Sequence, residues 1–479
     1  MEKLTPEKAK WLAERYYKGM DKQNGKQNNV SEELSHGNIA HLLRKMAIPG
    51  VISQILLLLY NMVDRIYLGR MNDGGTALLA VGLCLPITYI FNAAAFLFGQ
   101  GGAARAMIKL GSGKRDEAED IMGNSVVSII LSGAVLTVVL YIFAEPIMYF
   151  LGASEVSIGA AVTYMRIYTL GAVAIMGYMG FLQFVISQGA TKQAMIYVVL
   201  GALLNVVLDP ILIFGFDMGV AGAAIATVLS QLLIAVLSIG FLMGKKSSLT
   251  LRFKSMKLKV GILAAIITLG FSPFLMQITE AALNVAVNAS AQKYGGDISA
   301  LGITLAVSLS MVIWMPSSGI NQGAQALLSY NYGSKNYDRV MQTSKTLLKF
   351  QFLFFVPMTA LLELFPEVFI RIFTSDPAVI KEASWMVRIY AAGFFIIPIQ
   401  TVFQQITLST GQEKDCLYMV IIRKLVLHIP LLFILPMFMT NKVLAVVLSA
   451  PISDILSVVV TVACFVPVFY RKMNSYVRG

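Results

Sequence analysis

The sequence predicts an all-α integral membrane protein, with twelve transmembrane helices in two six-helix, pseudo-symmetric lobes around a central cleft. Only 13% of its 479 residues are charged, against roughly 25% in soluble proteins. The apolar stretches run about 20–25 residues, which is the length a helix needs to cross a bilayer. The third observation is an internal repeat, which relates the two halves of the chain.

The predicted spans follow one another along the chain with short connections. They lie at 46–68, 78–104, 120–143, 158–186, 193–214, 219–243, 260–288, 298–326, 343–363, 384–409, 416–439 and 443–468.

The repeat keeps a fixed offset over many positions. A shift from 166 to 388 carries Arg166-Ile167-Tyr168 onto Arg388-Ile389-Tyr390, and the same shift carries Gln100-Gly101 onto Gln322-Gly323. An offset near half the chain length indicates a duplicated bundle, and duplicated membrane bundles are mostly transporters with a site between the repeats.

Six helices in each half give both halves the same orientation, so we expect them to be related by an axis along the membrane normal. We predict a cytoplasmic N-terminal tail at 1–44, an N-lobe at 45–250 and a C-lobe at 251–479 with a short cytoplasmic C-terminus. The basic loop 245–259 divides the lobes. Within the tail, residues 6–18 are typical of a helix that lies either on the membrane surface or free in the cytoplasm.

The positive charge follows a membrane topology. With the N-terminus inside, 28 of the 38 Lys and Arg residues fall on the cytoplasmic side and five in outer loops. This asymmetry predicts a multi-pass protein of the inner (cytoplasmic) membrane with both termini in the cytoplasm. It also accounts for the net charge of +12 without a nucleic-acid partner.

Enzymatic patterns are missing from the sequence. It has three histidines and no HExxH or GxSxG motif. Gly111-Ser112-Gly113-Lys114 resembles a phosphate loop, but Arg115 stands where Ser or Thr is required, and Gly333-Ser334-Lys335 repeats it in the second half. We therefore expect a repeated turn, no enzyme, no cofactor, and transport that is passive or driven by an ion gradient.

Acidic residues at membrane depth favour the ion gradient. A carboxylate there costs about 2.5–3.5 kcal/mol on insertion scales, so it is a candidate functional group. In the first predicted helix Tyr60 and Asn61 lie four and three residues before Asp64, which places a polar stripe on a face toward the bundle. Asp64 could instead simply pair with Arg65.

The fifth and sixth helices add further oxygen ligands. Asn205 lies one turn before Asp209 and shares its face, and Thr227 lies at a similar depth. With Asp64, these side chains form an oxygen-only set that suits Na⁺ or H⁺. The alternative for Asp209 is a solvated position at a helix break before Pro210.

The second half carries a second polar stripe. Gln277, Glu280 and Asn284 follow at three- and four-residue steps on the seventh helix. We interpret Glu280 as a substrate or proton group, or else as a structural hydrogen-bond partner. Asp454 is a further candidate, and Met311 suits a cleft that repacks around varied substrates.

Basic residues inside the spans have simpler interpretations. Arg423 and Lys424 lie about two turns from the cytoplasmic end of the eleventh helix, so they are expected to extend toward the interface. Pro49 and Pro273 occupy matched depths in the first helix of each half and predict paired kinks.

These residues are where a family resemblance enters. Asn61-Met62-Val63-Asp64, Asn205-x-x-x-Asp209-Pro210 and Ala226-Thr227 resemble motifs of the multidrug and toxic compound extrusion (MATE) family of the MOP flippase superfamily, in its DinF-like or MepA-like bacterial branch. The resemblance covers about 46–470. It implies a cation site, with Na⁺ as a possible metal, at Asp64, Asn205, Asp209 and Thr227.

The resemblance further implies a secondary active multidrug antiporter. Inward Na⁺ or H⁺ would be exchanged for lipophilic, cationic compounds by a rocker-switch motion, in a chain expected to be monomeric. Two alternatives stay open, which are an exporter of one specific metabolite and a lipid-linked saccharide flippase of the same superfamily. The flippase would need a basic cleft, whereas this sequence has acids there.

Overall fold

The computed structural model of the chain describes residues 33–71 and 74–478, so the predicted helix at 6–18 lies outside the described residues. The first half contributes six segments. They are α1 (Ile39–Gly69), α2 (Gly75–Gly111), α3 (Arg115–Ile142), α4 (Ile158–Leu170 and Ala172–Ser187), α5 (Thr191–Gly215) and α6 (Gly219–Met243).

The second half repeats this order. Its segments are α7 (Val260–Gly296), α8 (Ile298–Gly333), α9 (Tyr337–Leu364), α10 (Pro377–Phe395 and Pro398–Ser409), α11 (Glu413–Phe438) and α12 (Lys442–Tyr476). Across the described residues, ten helices are long and apolar enough to span a membrane, or up to twelve when each bent pair counts as one span. The all-α class and the twelve predicted spans are therefore confirmed.

Two spans that the sequence predicts as single helices are bent. Segments α4 and α10 each bend by 53° at a short break. The first break is at Gly171, and the second follows Gly393, its partner in the repeat. A Cβ on Gly171 would collide with Val228, and one on Gly393 would press on Asp454, so each glycine permits a close approach at the bend.

The repeated turns have matching backbone conformations. Gly113 (φ 78°) and its repeat partner Lys335 (φ 59°) are both left-handed, as are Gly189 (φ 81°) and Gly411 (φ 68°) at the ends of α4 and α10. The left-handed region is rare for a residue with a Cβ, so its recurrence at Lys335 indicates one inherited turn. The glycine-rich segment before Arg115 is thus a repeated turn, as predicted.

The proline positions leave the helices continuous. Both α1 and α7 remain helical through Pro49 and Pro273. Ser53 donates its hydroxyl to the carbonyl oxygen of Pro49 at 2.8 Å.

Glycines let the two halves meet closely at one end of the bundle. Gly50 of α1 lies against Gly319 of α8, and Gly101 of α2 lies against Gly270 of α7, so closely that a Cβ on any of these four would strike backbone atoms. Ala47 of α1 likewise lies against Gly323. Small residues of this kind let membrane helices approach backbone to backbone.

An ion pair crosses the same end. Arg105 of α2 pairs with Glu413 at the start of α11, and its Nε donates to the carbonyl oxygen of Ala265 at 2.7 Å. We call this arrangement, with the four glycines, the closed end. It is the end that carries the basic loop 245–259, and a cavity lies between the halves beyond it.

Candidate functional site: a two-sided cavity between the halves

The cavity has a volume of about 640 Å³ and is walled by residues of both halves. Asp64, Tyr60 and Thr227 line it from the first half, and Gln277 and Met311 from the second. The sequence predicts all five as site residues, so the fold brings them to one space. That volume lies within the range of pockets for small molecules.

Tyrosines surround the acid at the first-half wall. Asp64 is 9% exposed and interacts electrostatically with Tyr60, Tyr164 and Tyr168. The rings of Tyr164 and Tyr168 stack with centroids 5.7 Å apart. The carboxylate thus sits in an aromatic wall, which is suited to a cation because ring faces and a carboxylate both attract positive charge.

A second acid lies behind this wall. Asn205 and Asp209 of α5 are fully buried, and Asn205 Nδ2 donates to Asp209 Oδ1 at 3.3 Å. Because Asp209 is buried, the solvated alternative is wrong. Segment α5 continues past Pro210 as a π-helical turn, Ile211–Gly215, and such turns are frequent at functional sites.

The two acids are close enough to repel each other. In the described part of the chain, Asp209 has no Lys or Arg partner, and Asp209 Oδ2 and Asn205 Oδ1 lie buried without a hydrogen-bond donor. Thr227 is buried beside the Tyr60 hydroxyl. Buried polar oxygens are normally satisfied, so this group has the chemistry to receive a hard cation or a proton.

The acids of the second half are paired differently. Lys424 Nζ donates to Glu280 Oε2 at 2.6 Å. The expectation that Lys424 extends to the interface is therefore wrong, because its side chain is only 8% exposed. Lys424 lies on a π-helical stretch of α11, Ile421–His428, which turns it into the helix bundle.

Arg423 lies on the same π-helical stretch. Its Nε donates to Asp454 Oδ1 at 2.9 Å, so its predicted extension toward the interface is wrong as well. The guanidinium carbon lies 4.9 Å from the centroid of the Trp314 ring. Phe355 and Phe394 hold this ring edge-on, with centroids 5.7 and 5.6 Å away. Arg423 and Trp314 both line the cavity.

Three predicted residues lie elsewhere. Glu280 and Asp454 are engaged in the ion pairs, outside the cavity lining. Asn284 Nδ2 donates to the carbonyl oxygen of Glu280 at 2.9 Å, within its own helix. The side chain of Asn61 is outside the described part of the structure.

The sequence analysis did not predict the tyrosines around Asp64 or the position of Arg423 at the cavity. Tyr168 is a member of the repeated Arg-Ile-Tyr triplet, so the repeat offered a signal for it. The pairing of Arg423 with Asp454 and Trp314 had no signal of that kind, because those residues are far apart in the chain.

Comparisons with known proteins identify the family. The MatE family profile matches residues 49–211 and 273–434, which is one segment in each half. Relatives include the multidrug export protein MepA of Staphylococcus saprophyticus, 26% identical over 81% of this chain and 85% of that protein. MepA of Staphylococcus aureus is 26% identical over the same shares.

A solved structure shares the architecture. The outward-facing conformation of a multidrug resistance MATE family transporter of the MOP superfamily superposes with a TM-score of 0.86 at 22% identity, covering 93% of this chain and 98% of that one. Together with the profile match over both halves, this fold identifies the chain as a member of the MatE family of membrane transporters.

Proposed function

We propose that this chain is a secondary active multidrug exporter, which exchanges inward-moving Na⁺ or H⁺ for lipophilic compounds, chiefly cations. The observation that carries the proposal is the buried carboxylate pair, Asp64 and Asp209, at the wall of a cavity between two repeated halves. The relatives named multidrug export proteins support the same activity.

The carboxylate pair provides the coupling element. Two buried acids close to each other favour uptake of a cation or proton, because this removes like-charge repulsion. Asn205 and Thr227 add an amide oxygen and a hydroxyl at the same place. A cation bound here changes the charge of the first-half wall, and so biases which arrangement of the halves is stable.

The geometry of the cavity supports a direction of transport. The closed end carries the 245–259 loop, which we expect to be cytoplasmic from the distribution of Lys and Arg. The cavity beyond it would then face outward, ready to release substrate and receive the cation. Because linkage is reciprocal, cation and substrate favour opposite arrangements.

The ion gradient supplies enough energy. A charge that crosses about 170 mV gains roughly 4 kcal/mol at about 2.3 kcal/mol per 100 mV. This corresponds to about a thousand-fold substrate gradient at about 1.4 kcal/mol per decade.

The test is transport of a cationic dye in everted vesicles, with Na⁺ and pH varied independently. Export from the cell appears in these vesicles as dye uptake. We expect dye uptake that one of the two gradients drives and that its collapse stops. Uptake that is indifferent to both gradients, or absent for every lipophilic cation tried, would contradict the proposal. The matched control for a substitution of Asp209 is Asp217→Asn, because Asp217 is an exposed acid eight positions beyond Asp209.

A further inference from the structure

The chain that precedes α1 is packed against the opposite half of the molecule. Residues 33–36 are helical, and Leu34 among them is only 2% exposed. Leu34 belongs to one apolar cluster with Leu327 and Val340, which lie in the second half. We call residues 33–38 the strap, because they cross from the start of α1 to the second half at the closed end.

Two side chains of the second half bind the backbone of the strap. Asn331, near the end of α8, donates its Nδ2 to the carbonyl oxygen of Leu34 at 3.1 Å. Arg339, near the start of α9, donates its Nη2 to the carbonyl oxygens of Leu34 at 3.1 Å and Gly37 at 2.8 Å. Carbonyl oxygens at the end of a helical turn carry partial negative charge, so a guanidinium is a favourable partner for them.

The strap is folded back on the start of α1. The backbone N–H of Gly37 donates to the carbonyl oxygen of Glu33 at 2.9 Å, and Lys45 Nζ donates to Glu33 Oε1 at 2.5 Å. A Cβ on Gly37 would lie 2.6 Å from the Glu33 carbonyl oxygen and 2.9 Å from the side chain of Leu42. Glycine at position 37 therefore permits the tight turn that brings both carbonyl oxygens to Arg339.

The connectivity of the chain does not require this crossing. The linker 245–259 must pass from one half to the other, and Asn124 Oδ1 of the first half accepts from the backbone N–H of Lys259 at 2.7 Å. The chain before α1 is under no such constraint. Its three hydrogen bonds to the second half nevertheless reinforce the closed end, where Gly50 meets Gly319. Contacts that form in only one arrangement stabilise that arrangement over the other.

We propose that the strap is a latch, which holds the cytoplasmic start of α1 to the second half and so stabilises the outward-facing arrangement. The inference rests on the alternation of arrangements in the proposed function. When the halves separate at the closed end, Arg339 and Asn331 release the strap. Because these residues lie outside the cavity lining, the latch acts on the equilibrium between arrangements and not on the binding of substrate or cation.

The experiment measures this equilibrium with two spin labels on the full chain, in a background whose native cysteines are replaced. Nitroxides are attached through Lys192→Cys, at the start of α5, and Lys345→Cys, in α9. Both positions are exposed and lie on opposite halves toward the closed end. Double electron–electron resonance in nanodiscs, at several Na⁺ concentrations and pH values, gives the populations of short and long distances between the labels.

Three variants perturb the latch from both of its sides. Arg339→Gln and Asn331→Ala remove the donors of the second half, whereas Gly37→Ala disturbs the turn of the strap and leaves the second half untouched. Arg388→Gln is the matched control, because Arg388 also donates to a backbone carbonyl oxygen, that of Glu363 at 3.0 Å, but within one half. A variant that fails to fold leaves the other two to decide.

We expect Arg339→Gln to raise the ratio of long to short distances by about ten-fold, which is the loss of one hydrogen bond to a charged group. Asn331→Ala and Gly37→Ala should shift the ratio in the same direction by less, and Arg388→Gln should match the wild type.

Two results would overturn the latch while the proposed function stands. One is an unchanged ratio in all three variants of a chain that alternates between the two distances, since the strap then stays with the second half in both arrangements. The other is an equal shift in Arg388→Gln. A single short distance in every variant and the wild type, under every condition, would contradict the alternation itself and so the proposed function as well.

Discussion

Lys424 donates a hydrogen bond to Glu280 at 2.6 Å, and this pair distinguishes the acids of the second half from those of the first. Asp454 is matched in the same way by Arg423. Asp209 has instead the neutral amide of Asn205 as its hydrogen-bond partner. Paired acids keep their charge, whereas like acids held together change charge readily. This asymmetry supports our proposal that ion coupling takes place in the first half.

Asp209→Asn should strongly reduce ion-driven efflux while the protein level in the membrane is kept. The amide keeps the shape of the carboxylate but cannot change its charge, so the coupling step is impaired. We expect Asp64→Asn and Asn205→Ala to act on the same step, so that the double variant Asp64→Asn/Asp209→Asn is no worse than either single one. Dye efflux in everted vesicles measures this.

The control for this series is Asp217→Asn, the same chemical change at an exposed position. Asp217 has a left-handed backbone (φ 52°), which Asn also tolerates, so its efflux should equal that of the wild type. Multiplied losses in the double variant would show that Asp64 and Asp209 serve separate steps.

Glu280→Gln should lower the thermal stability of the protein, because it leaves the buried ammonium of Lys424 without its counter-charge. Removal of one partner of a buried ion pair costs about 3–5 kcal/mol, and we expect the low end because the Glu280 side chain is 29% exposed. The double variant Glu280→Gln/Lys424→Gln should recover most of the loss. Thermal unfolding in detergent compares the wild type with these two variants.

This stability test also separates the two interpretations of Glu280. A structural partner predicts that the double variant regains both stability and efflux. A substrate group predicts regained stability, with cationic dyes still weakened more than neutral compounds. Glu280→Gln at full stability would mean that the pair with Lys424 contributes little.

The elements that depend on local or periodic signals could be predicted from the sequence. Runs of apolar residues marked all twelve spans, and the cost of an intramembrane carboxylate marked Asp64 and Asp209. The repeat marked the turns at Gly113 and Lys335, whose left-handed conformations agree.

Contacts between residues that are far apart in the chain could not be predicted from the sequence. Lys424 and Glu280 are 144 positions apart, and Lys424 lies in the π-helical stretch Ile421–His428, where the regular helix period does not hold. A regular helix period places Lys424 near the interface, so snorkelling was the natural expectation. The contact of Gly50 with Gly319 could not be predicted either. These residues are also far apart in the chain, and glycine is common in membrane helices.

Gly319→Val should stop efflux by holding the closed end apart. A Cβ at Gly319 would collide with the backbone of Gly50, and backbone cannot rotate away as a side chain can. Gly240→Val is the control, because a Cβ there meets open space. We expect unchanged expression in both variants, with efflux lost only in the first. Equal efflux in both would mean that the closed end can separate without cost.

A reversible crosslink between positions 105 and 413 should stop transport. Arg105 and Glu413 belong to different halves and form an ion pair across the closed end. Rocking of the halves requires this pair to separate and the glycine contacts behind it to open, about hinges near the 245–259 loop and the matched prolines Pro49 and Pro273.

The crosslink experiment uses Arg105→Cys/Glu413→Cys in a chain whose native cysteines, Cys84, Cys416 and Cys464, are replaced. A short bis-thiosulfonate reagent joins the pair, and a reductant releases it. We expect efflux to fall with the crosslinked fraction and to return on reduction, while each single cysteine variant treated alike stays active. The untreated pair should retain part of its activity, since one partly exposed ion pair contributes only about 1 kcal/mol. Full transport with the crosslink complete would rule out opening of this end. It would also rule out the alternation between inward-open and outward-open states on which the proposed mechanism depends.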